Sequence, residues 1–213
     1  MRPVSPYLAV TATTCLAYVI GGLPFGYLFV HLSFGKDVRT LGSGNIGATN
    51  VHRTVGRKAG VTVLLLDIAK GFSAVWITGL ATHNAPLAVA LAAMAVMAGH
   101  CYSVFLHFKG GKAVACFIGA FLYLAPLALA LSLLVFIAVV AITKYISLGS
   151  IISVLVFPIA VWCIEHPAQP ILWASIFAAV LIVYRHKLNI LRLVNGQENV
   201  FSLKGGSLTG DST

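Results

Sequence analysis

Long apolar runs recur along this chain from residue 7 to residue 185, and they constrain its fold more than any other feature of the sequence. An apolar helix of roughly 20 residues crosses the hydrocarbon core of a bilayer, which is about 30 Å thick. Hydrophobic residues make up 59% of the chain and charged residues only 9%, whereas about a quarter of the residues in soluble domains are charged. The composition therefore predicts an all-α, polytopic membrane protein.

The apolar runs predict seven transmembrane segments, at 7–30, 59–81, 86–106, 113–123, 126–143, 147–164 and 170–185. As a single helix, the region 113–143 would be roughly 46 Å long, which is too long for one crossing. Pro126 lies inside this region, and a proline within a helix removes a hydrogen bond and favours a break. We therefore predict two legs, of which the first is short or re-entrant.

Basic residues set the predicted orientation, because the cytoplasmic loops of membrane proteins are enriched in lysine and arginine. Arg53 lies in the first basic loop and Lys112 in the next one, so both loops are predicted to be cytoplasmic, with the N-terminus outside and the C-terminus inside. The net charge of +9 is explained by these loops, so no nucleic-acid partner is predicted. We expect one transmembrane domain over 1–198 and a flexible cytoplasmic tail over 199–213.

This topology places four polar stretches on the cytoplasmic side, at 42–58, 107–112, 144–150 and 185–198. The first contains GSGNIGATNVHR at 42–53, in which glycines allow close approach of the main chain to a ligand. Its side chains supply hydrogen-bond donors suited to phosphate oxygens, from Ser43, Asn45, Thr49, Asn50 and Arg53. We interpret this stretch as the anion-binding half of an active site.

The second stretch, HFKGGK, places Gly110 and Gly111 before Lys112 at the start of an apolar helix. A phosphate there would meet free backbone N–H groups, the positive end of a helix and an ammonium group. Lys109 alone is better explained as an ordinary basic residue of a cytoplasmic loop.

Two further stretches place polar residues at helical spacing. Ser147 and Ser150 lie three residues apart, on one helix face, and are interpreted either as ligand contacts or as helix caps. His186 and Asn189 form part of one helical stripe and could hydrogen-bond to a shared ligand or to loop backbone.

Other signals favour structure over catalysis. Asp67 and Lys70 are predicted to form an ion pair inside the second segment, since charges at that depth need partners. The four cysteines are predicted to be buried apolar residues, and neither a metal site nor a cofactor is expected. GSGNIG at 42–47 matches a dinucleotide-binding pattern, but the strand that this pattern requires is replaced by a membrane helix.

Four motifs in order resemble the bacterial integral-membrane glycerol-3-phosphate acyltransferases that use acyl phosphate. They are GSGNIGATNVHR, GHCYSVFLHFKGGKAVA at 99–115, SLGS at 147–150, and RHKLNILRLVNGQE at 185–198. The resemblance covers about residues 7–198. It implies a protein of the bacterial inner membrane with seven transmembrane helices and an active site built from its cytoplasmic loops.

The resemblance also implies an activity: transfer of a fatty acyl group from acyl phosphate to the 1-hydroxyl of sn-glycerol 3-phosphate, giving lysophosphatidic acid and phosphate. No covalent acyl-enzyme is expected, and an upstream enzyme that forms acyl phosphate is an implied partner. By motif, the catalytic residues are Ser43, Asn45, Lys112, His186 and Asn189. The substrate-binding residues are Gly44, Asn50, Arg53, Gly110, Gly111 and Ser150, and Glu198 is expected to organise the loops.

The chain departs from the family at Ala113, where glycine commonly follows the lysine of GGK. The added methyl group is expected either to narrow the phosphate loop or to be tolerated, because this residue can be helical. The competing interpretations are a transporter or flippase for a phosphorylated solute, and a purely structural membrane subunit. One-sided clustering of the polar stretches disfavours the first, and the glycine-rich donor loops disfavour the second.

Overall fold

The structure, a computed structural model, describes residues 5–202. These residues form ten α-helices and no strand, which confirms the predicted all-α class. The helices are α1 (Pro6–Gly22), α2 (Phe25–Phe34), α3 (Ala48–Thr54), α4 (Arg57–Ala81), α5 (Pro86–Cys101), α6 (Val114–Leu124), α7 (Pro126–Thr143), α8 (Ile146–Ala160), α9 (Gln169–Arg185) and α10 (Lys187–Val194). Short 3₁₀ turns follow α2 and α5, at Val38–Thr40 and Val104–Leu106, and a π-helical turn at Val161–Glu165 extends α8.

The predicted break at Pro126 is confirmed, since α6 ends at Leu124 and α7 begins at the proline. Proline is favoured in the first turn of a helix because its missing N–H would have no partner there. Two other N–H groups of that turn, on Leu127 and Ala128, have no partner within the helix and donate to one carboxylate oxygen of Glu165. The turn predicted outside the membrane at 165–169 therefore also caps α7.

Five helical segments are long and apolar enough to cross a membrane, namely Pro6–Phe34, Arg57–Ala81, Pro86–Leu106, Pro126–Thr143 and Ile146–Glu165. Counting α9 with α10, which are bent by 57° at their junction, raises the number to six. The apolar helix α6 is short, as predicted for the first leg. The count of seven crossings and the orientation stay predictions.

The first predicted segment, 7–30, is interrupted by a bend at Leu23 and Pro24 that separates α1 from α2. A bend leaves a main-chain carbonyl group without its helical partner. Here the Leu23 carbonyl accepts a hydrogen bond of 2.7 Å from the ammonium of Lys70 on α4. A buried cation thus fastens the broken first segment to α4.

Glycines allow two helix pairs to pack backbone to backbone. Gly21 on α1 lies against the Val96 carbonyl on α5, and Gly99 on α5 lies against the Tyr18 carbonyl on α1. Gly119 on α6 lies against the Ile68 carbonyl on α4 in the same way. At each glycine an added Cβ would overlap a carbonyl oxygen. Such small-residue contacts are typical of helices that associate inside a bilayer.

Helix α5 is the most buried of the candidate spans and lies in the main apolar core with parts of α4, α6, α8 and α9. Three rings from α6 and α8 meet in this core, with centroids between 4.7 Å and 5.2 Å apart: Phe117, Phe121 and Phe157. The cysteine prediction is only half right. Cys101 and Cys116 are buried, but Cys15 and Cys163 are exposed on the outer surface.

Candidate active site

All four predicted polar stretches meet at one cavity of about 570 Å³. It is lined by the loop before α3 and by residues of α3, α4, α6, α7, α8 and α10. Residues from each stretch line it, including Ser43, Asn45, Asn50, Arg53, Lys112, Ser147, Ser150, His186, Asn189, Arg192 and Glu198. Of the predicted site residues, Gly44, Gly110 and Gly111 do not line the cavity.

The buried side chain of Asn50 organises the loop before α3. Its amide group donates to the carbonyls of Leu41 at 3.0 Å and Asn45 at 2.8 Å, and its oxygen accepts from the Ser43 N–H. Gly44 has a φ of +70°, in the left-handed region that glycine adopts most easily. Asn50 therefore uses its donors to shape the loop, and Gly44 provides the turn.

Asn45 in this loop and Arg53 on α3 both line the cavity, but their side chains differ in how firmly they are held. The Asn45 oxygen accepts from the Gly47 N–H at 2.9 Å, which fixes the side chain. Arg53 is half-buried, and burial lowers the pKa of its guanidinium, an effect that Glu198 opposes. Within residues 5–202 no carboxylate forms an ion pair with Arg53, so its charge remains available to an anion.

The second loop corrects one expectation: the N–H groups of Gly110 and Gly111 are not free. They donate to the carbonyls of Cys101 and His100, which attaches the loop to the end of α5. Their own carbonyls accept from the Arg185 guanidinium, at 2.9 Å and 3.0 Å. The paired glycines thus position Lys112, and a side chain at Gly111 would overlap the His100 ring.

Ala113 corrects a second expectation, because it is not helical. It precedes α6 with a φ of +62°, a left-handed conformation, and it is fully buried. Alanine is strained there because its Cβ crowds the following carbonyl group. The glycine that the family commonly carries at this position suits the same conformation.

A chain of hydrogen bonds leads from Lys112 across the cavity. The Lys112 ammonium donates to the Asn189 oxygen at 2.5 Å, and the Asn189 amide donates to Glu198 at 2.9 Å. Arg192 holds the other oxygen of Glu198, also at 2.9 Å. Burial lowers the pKa of Lys112 to about 8, although the attraction of Glu198 acts in the opposite direction. The predicted role of Glu198 in organising the loops is supported by these contacts.

His186 is buried and lines the cavity at the junction of α9 and α10. Its Nδ1 lies 2.8 Å from the Ile182 carbonyl, and a carbonyl can only accept, so Nδ1 carries a proton. In a neutral ring this leaves Nε2 as a hydrogen-bond acceptor.

The two predicted serines differ in the use of their hydroxyl groups. Ser150 donates to the Ile146 carbonyl of its own helix at 2.9 Å. The buried Ser147 hydroxyl has no hydrogen-bond partner among the described residues. Neither residue caps α8, which is preceded by Tyr145. Ser147, which the sequence did not distinguish from Ser150, has the more available donor.

The predicted ion pair is present beside the cavity: Asp67 lines it, and the Lys70 ammonium lies 2.8 Å from the Asp67 carboxylate. Nδ1 of His100 lies 3.7 Å from the same carboxylate oxygen. Cys116 completes a buried group whose ligand atoms lie within 4.8 Å of one another, close enough to hold a metal ion. Lys70 already supplies a cation to Asp67 and to the Leu23 carbonyl, so we assign this cluster to helix packing.

The cavity also has apolar walls. They come from α4, α6 and α7, with Val61, Leu64, Val114, Ile118, Leu133, Phe136 and Ile137. A single cavity is thus lined by both cationic and apolar side chains.

Sequence reasoning missed several residues of the site. His52 and Arg57 line the cavity, and Arg185 positions the Lys112 loop. The segment 199–202 was assigned to the tail, but Phe201 lines the cavity and its N–H donates to the Lys144 carbonyl. This corrects the tail boundary for residues 199–202, while 203–213 lie outside the described residues. Arg185 could have been noticed because it directly precedes His186 in the last motif.

Comparisons with known proteins agree on one family. The profile of the family "Glycerol-3-phosphate acyltransferase" matches residues 11–196. Glycerol-3-phosphate acyltransferase of Trichlorobacter lovleyi is 46% identical over 87% of this chain and 94% of that protein. The corresponding protein of Desulforamulus reducens is 43% identical over 85% of this chain and 90% of its own length.

Solved structures give the same result. The chain is similar to the crystal structure of PlsY (YgiH), an integral membrane glycerol 3-phosphate acyltransferase, in its glycerol 3-phosphate form. The TM-score is 0.86 and the identity 35%, over 91% of this chain and 96% of that one. The lysophosphatidic acid form of PlsY gives a TM-score of 0.83 at 34% identity. The chain belongs to the glycerol-3-phosphate acyltransferase family.

Proposed function

We propose that the acyl donor is acyl phosphate and that both substrates bind in the described cavity. The reaction transfers a fatty acyl group to the 1-hydroxyl of sn-glycerol 3-phosphate and gives lysophosphatidic acid and inorganic phosphate. The observation that carries the proposal is one cavity lined both by the cations Lys112 and Arg53 and by apolar side chains of α4, α6 and α7. A phosphate group and an acyl chain on one donor need these two environments side by side.

The chemistry requires positioning more than activation. The acceptor hydroxyl oxygen forms an ester bond with the acyl carbon, and the bond between that carbon and the phosphate oxygen breaks. Phosphate leaves with the electron pair and takes up the hydroxyl proton. Because phosphate is a good leaving group, no covalent acyl-enzyme is needed. The protein must then mainly hold two anions close together, and fixed cations reduce the electrostatic repulsion between them.

The residues divide this task. Lys112 and Arg53 bind phosphate oxygens, with Ser43, Asn45 and Ser147 as further donors near them. Nε2 of His186 accepts a hydrogen bond from an acceptor hydroxyl and so orients it. Asn189 positions Lys112, whereas Asn50, Gly44, Gly110 and Gly111 hold the loops in shape. We assign Ser150, three residues after Ser147, as a second serine contact to the substrate.

The donor assignment is tested with protein purified in detergent and long-chain acyl phosphate. We expect phosphate release and formation of lysophosphatidic acid to depend on glycerol 3-phosphate and to be equimolar. Acyl-coenzyme A, offered at the same concentration, serves as the matched donor control and is expected to give little product. Turnover with acyl-coenzyme A alone would contradict the donor assignment, and phosphate release without the acceptor would contradict acyl transfer.

We also propose that the protein lies in the bacterial inner membrane, with seven crossings and the cavity open to the cytoplasm. The basic loops that contain Arg53 and Lys112 support this orientation. Single cysteines at Lys109 and at His83, introduced without the native cysteines, should be labelled from opposite sides of sealed vesicles. Labelling of residues 42–53 and 107–112 from opposite sides would exclude a common site.

Acyl phosphate is a mixed anhydride that must be made from an activated fatty acid. We therefore propose an upstream acyl-phosphate-forming enzyme as a functional partner. The transporter alternative would require the cavity to open to both sides. Within residues 5–202, the lysines and arginines that line the cavity come only from the stretches predicted to be cytoplasmic.

A further inference from the structure

A short segment after α10, residues 198–202, crosses the polar side of the cavity, and we call it the strap. It begins at Glu198, which Arg192 and Asn189 hold. Three of its residues, Glu198, Asn199 and Phe201, line the cavity. The family profile ends at residue 196, so the strap lies beyond the matched region.

The strap is bound to two elements that are far apart in the sequence. The Phe201 N–H donates to the carbonyl of Lys144, at the corner between α7 and α8, over 2.8 Å. The Ser202 carbonyl accepts from Nε2 of His52 on α3 at 2.9 Å. The rings of Phe201 and His52 have centroids 5.5 Å apart and are tilted by 36°.

These contacts connect the two elements that carry groups assigned to phosphate by the proposed function. His52 directly precedes Arg53 on the short helix α3 (Ala48–Thr54). Lys144 lies two residues before α8, whose first turn contains Ser147. A short helix has little stability of its own, so α3 depends on its tertiary contacts. Helix α4 packs against α3 through Gly60, which lies next to His52, and the strap adds a contact to the ring of the same histidine.

We infer that Phe201 is a positioning residue for glycerol 3-phosphate: it clamps α3 to the corner between α7 and α8 and thereby holds Arg53 opposite Ser147. Phe201 acts through His52 and α3, not on the reacting atoms. The inference rests on the proposed assignment of Arg53 to phosphate.

Replacement of the ring tests the inference through substrate affinity. Phe201→Ala should raise the KM for glycerol 3-phosphate by roughly three- to tenfold, the range that one aromatic pair supports. The kcat should stay within about twofold, because the reacting groups are unchanged. Phe201→Tyr retains the ring and should restore the KM, whereas Phe201→Leu retains apolar volume without the ring and should not.

The matched control is Val200→Ala in the same strap. Val200 is 61% exposed and does not line the cavity, so this variant should keep the wild-type KM. A double-mutant cycle with His52→Ala isolates the clamp. The double variant should be no worse than the more impaired single variant, because both changes remove the same contact.

A second readout does not depend on the acyl donor. Glycerol 3-phosphate alone should raise the apparent Tm of the purified protein, and Phe201→Ala should reduce this increase at a given ligand concentration. If the wild type is stabilised but shows no turnover with acyl phosphate, the donor assignment fails while the strap test remains valid. An unchanged KM and ligand-induced Tm increase in Phe201→Ala, or additive effects with His52→Ala, would overturn the inference.

Discussion

The ammonium of Lys112 is held by the side-chain oxygen of Asn189, 2.5 Å away and 77 residues later in the chain. The partner of Lys112 is thus a neutral amide group, and the nitrogen of the same amide donates to Glu198. An amide fixes the position of the lysine without neutralising it, whereas a carboxylate would compete directly with a phosphate. Lys112 is thus positioned and still charged.

Removal of the Lys112 charge should abolish most turnover. We expect Lys112→Ala to lower kcat/KM by at least about 100-fold, because one preorganised charge-assisted contact contributes on the order of 3 kcal/mol to a transition state. Lys109→Ala, in the same loop but exposed, is the matched control and should remain near wild type. The measurement is lysophosphatidic acid formation by the purified variants. Activity within twofold of wild type in Lys112→Ala would remove this residue from the site.

The affinity for glycerol 3-phosphate should fall at alkaline pH. Burial lowers the pKa of Lys112 from 10.5 to about 8, so the positive charge is present below pH 8 and is lost above it. The KM should therefore rise above pH 8, by up to about tenfold per pH unit, while kcat at saturation changes less because a bound phosphate raises the pKa again.

Lys112→Arg provides the control for this profile, because arginine stays protonated throughout the range. Its KM relative to its own value at pH 7 should stay flat up to pH 9. An equal rise in wild type and Lys112→Arg would assign the titration to another group.

The buried ion pair on α4 should be essential for stability. Asp67→Asn leaves the Lys70 ammonium uncompensated next to the Leu23 carbonyl, and breaking a buried pair typically costs roughly 3–5 kcal/mol. We expect a large decrease in the apparent Tm in detergent. The double variant Asp67→Asn/Lys70→Met should recover part of that loss, because it removes the isolated charge. A single variant as stable as wild type would show that the pair is not needed.

Position 113 should tolerate glycine better than alanine. Its φ of +62° strains an alanine by roughly 1–2 kcal/mol, and this exceeds the extra flexibility that glycine adds to the unfolded chain. Ala113→Gly should therefore raise the apparent Tm by roughly 2–4 °C. Ala120→Gly in the interior of α6 is the control, and its apparent Tm should fall, since glycine destabilises a helix interior. A lower Tm in Ala113→Gly would show that its buried methyl group matters more than the strain.

The apolar runs and their interruptions are evident in the amino-acid sequence. The break at Pro126 and the ion pair between Asp67 and Lys70 follow from helix length and from the cost of an isolated charge in a membrane, and both are observed. Ordered motifs likewise indicate the family. These features depend on composition and short-range spacing, which the one-dimensional chain records directly.

Other expectations depended on contacts that no local pattern encodes. The glycine N–H groups before Lys112 looked free, but they are used by the end of α5. Ala113 looked compatible with a helix but is left-handed. The sequence assigns Phe201 to the flexible tail, but the residue lines the cavity.

The amino-acid sequence alone shows that this protein spans a membrane, which stretches are polar and which residue types are available to bind phosphate. Hydrophobic burial and backbone hydrogen bonding in a bilayer leave little choice at that level. Which hydrogen-bond donors and charges can contact a ligand depends on the tertiary structure, because each carbonyl, amide and charge is either used by a neighbouring residue or left for a ligand. That competition takes place between segments that are distant in the chain, as Lys112 and Asn189 are.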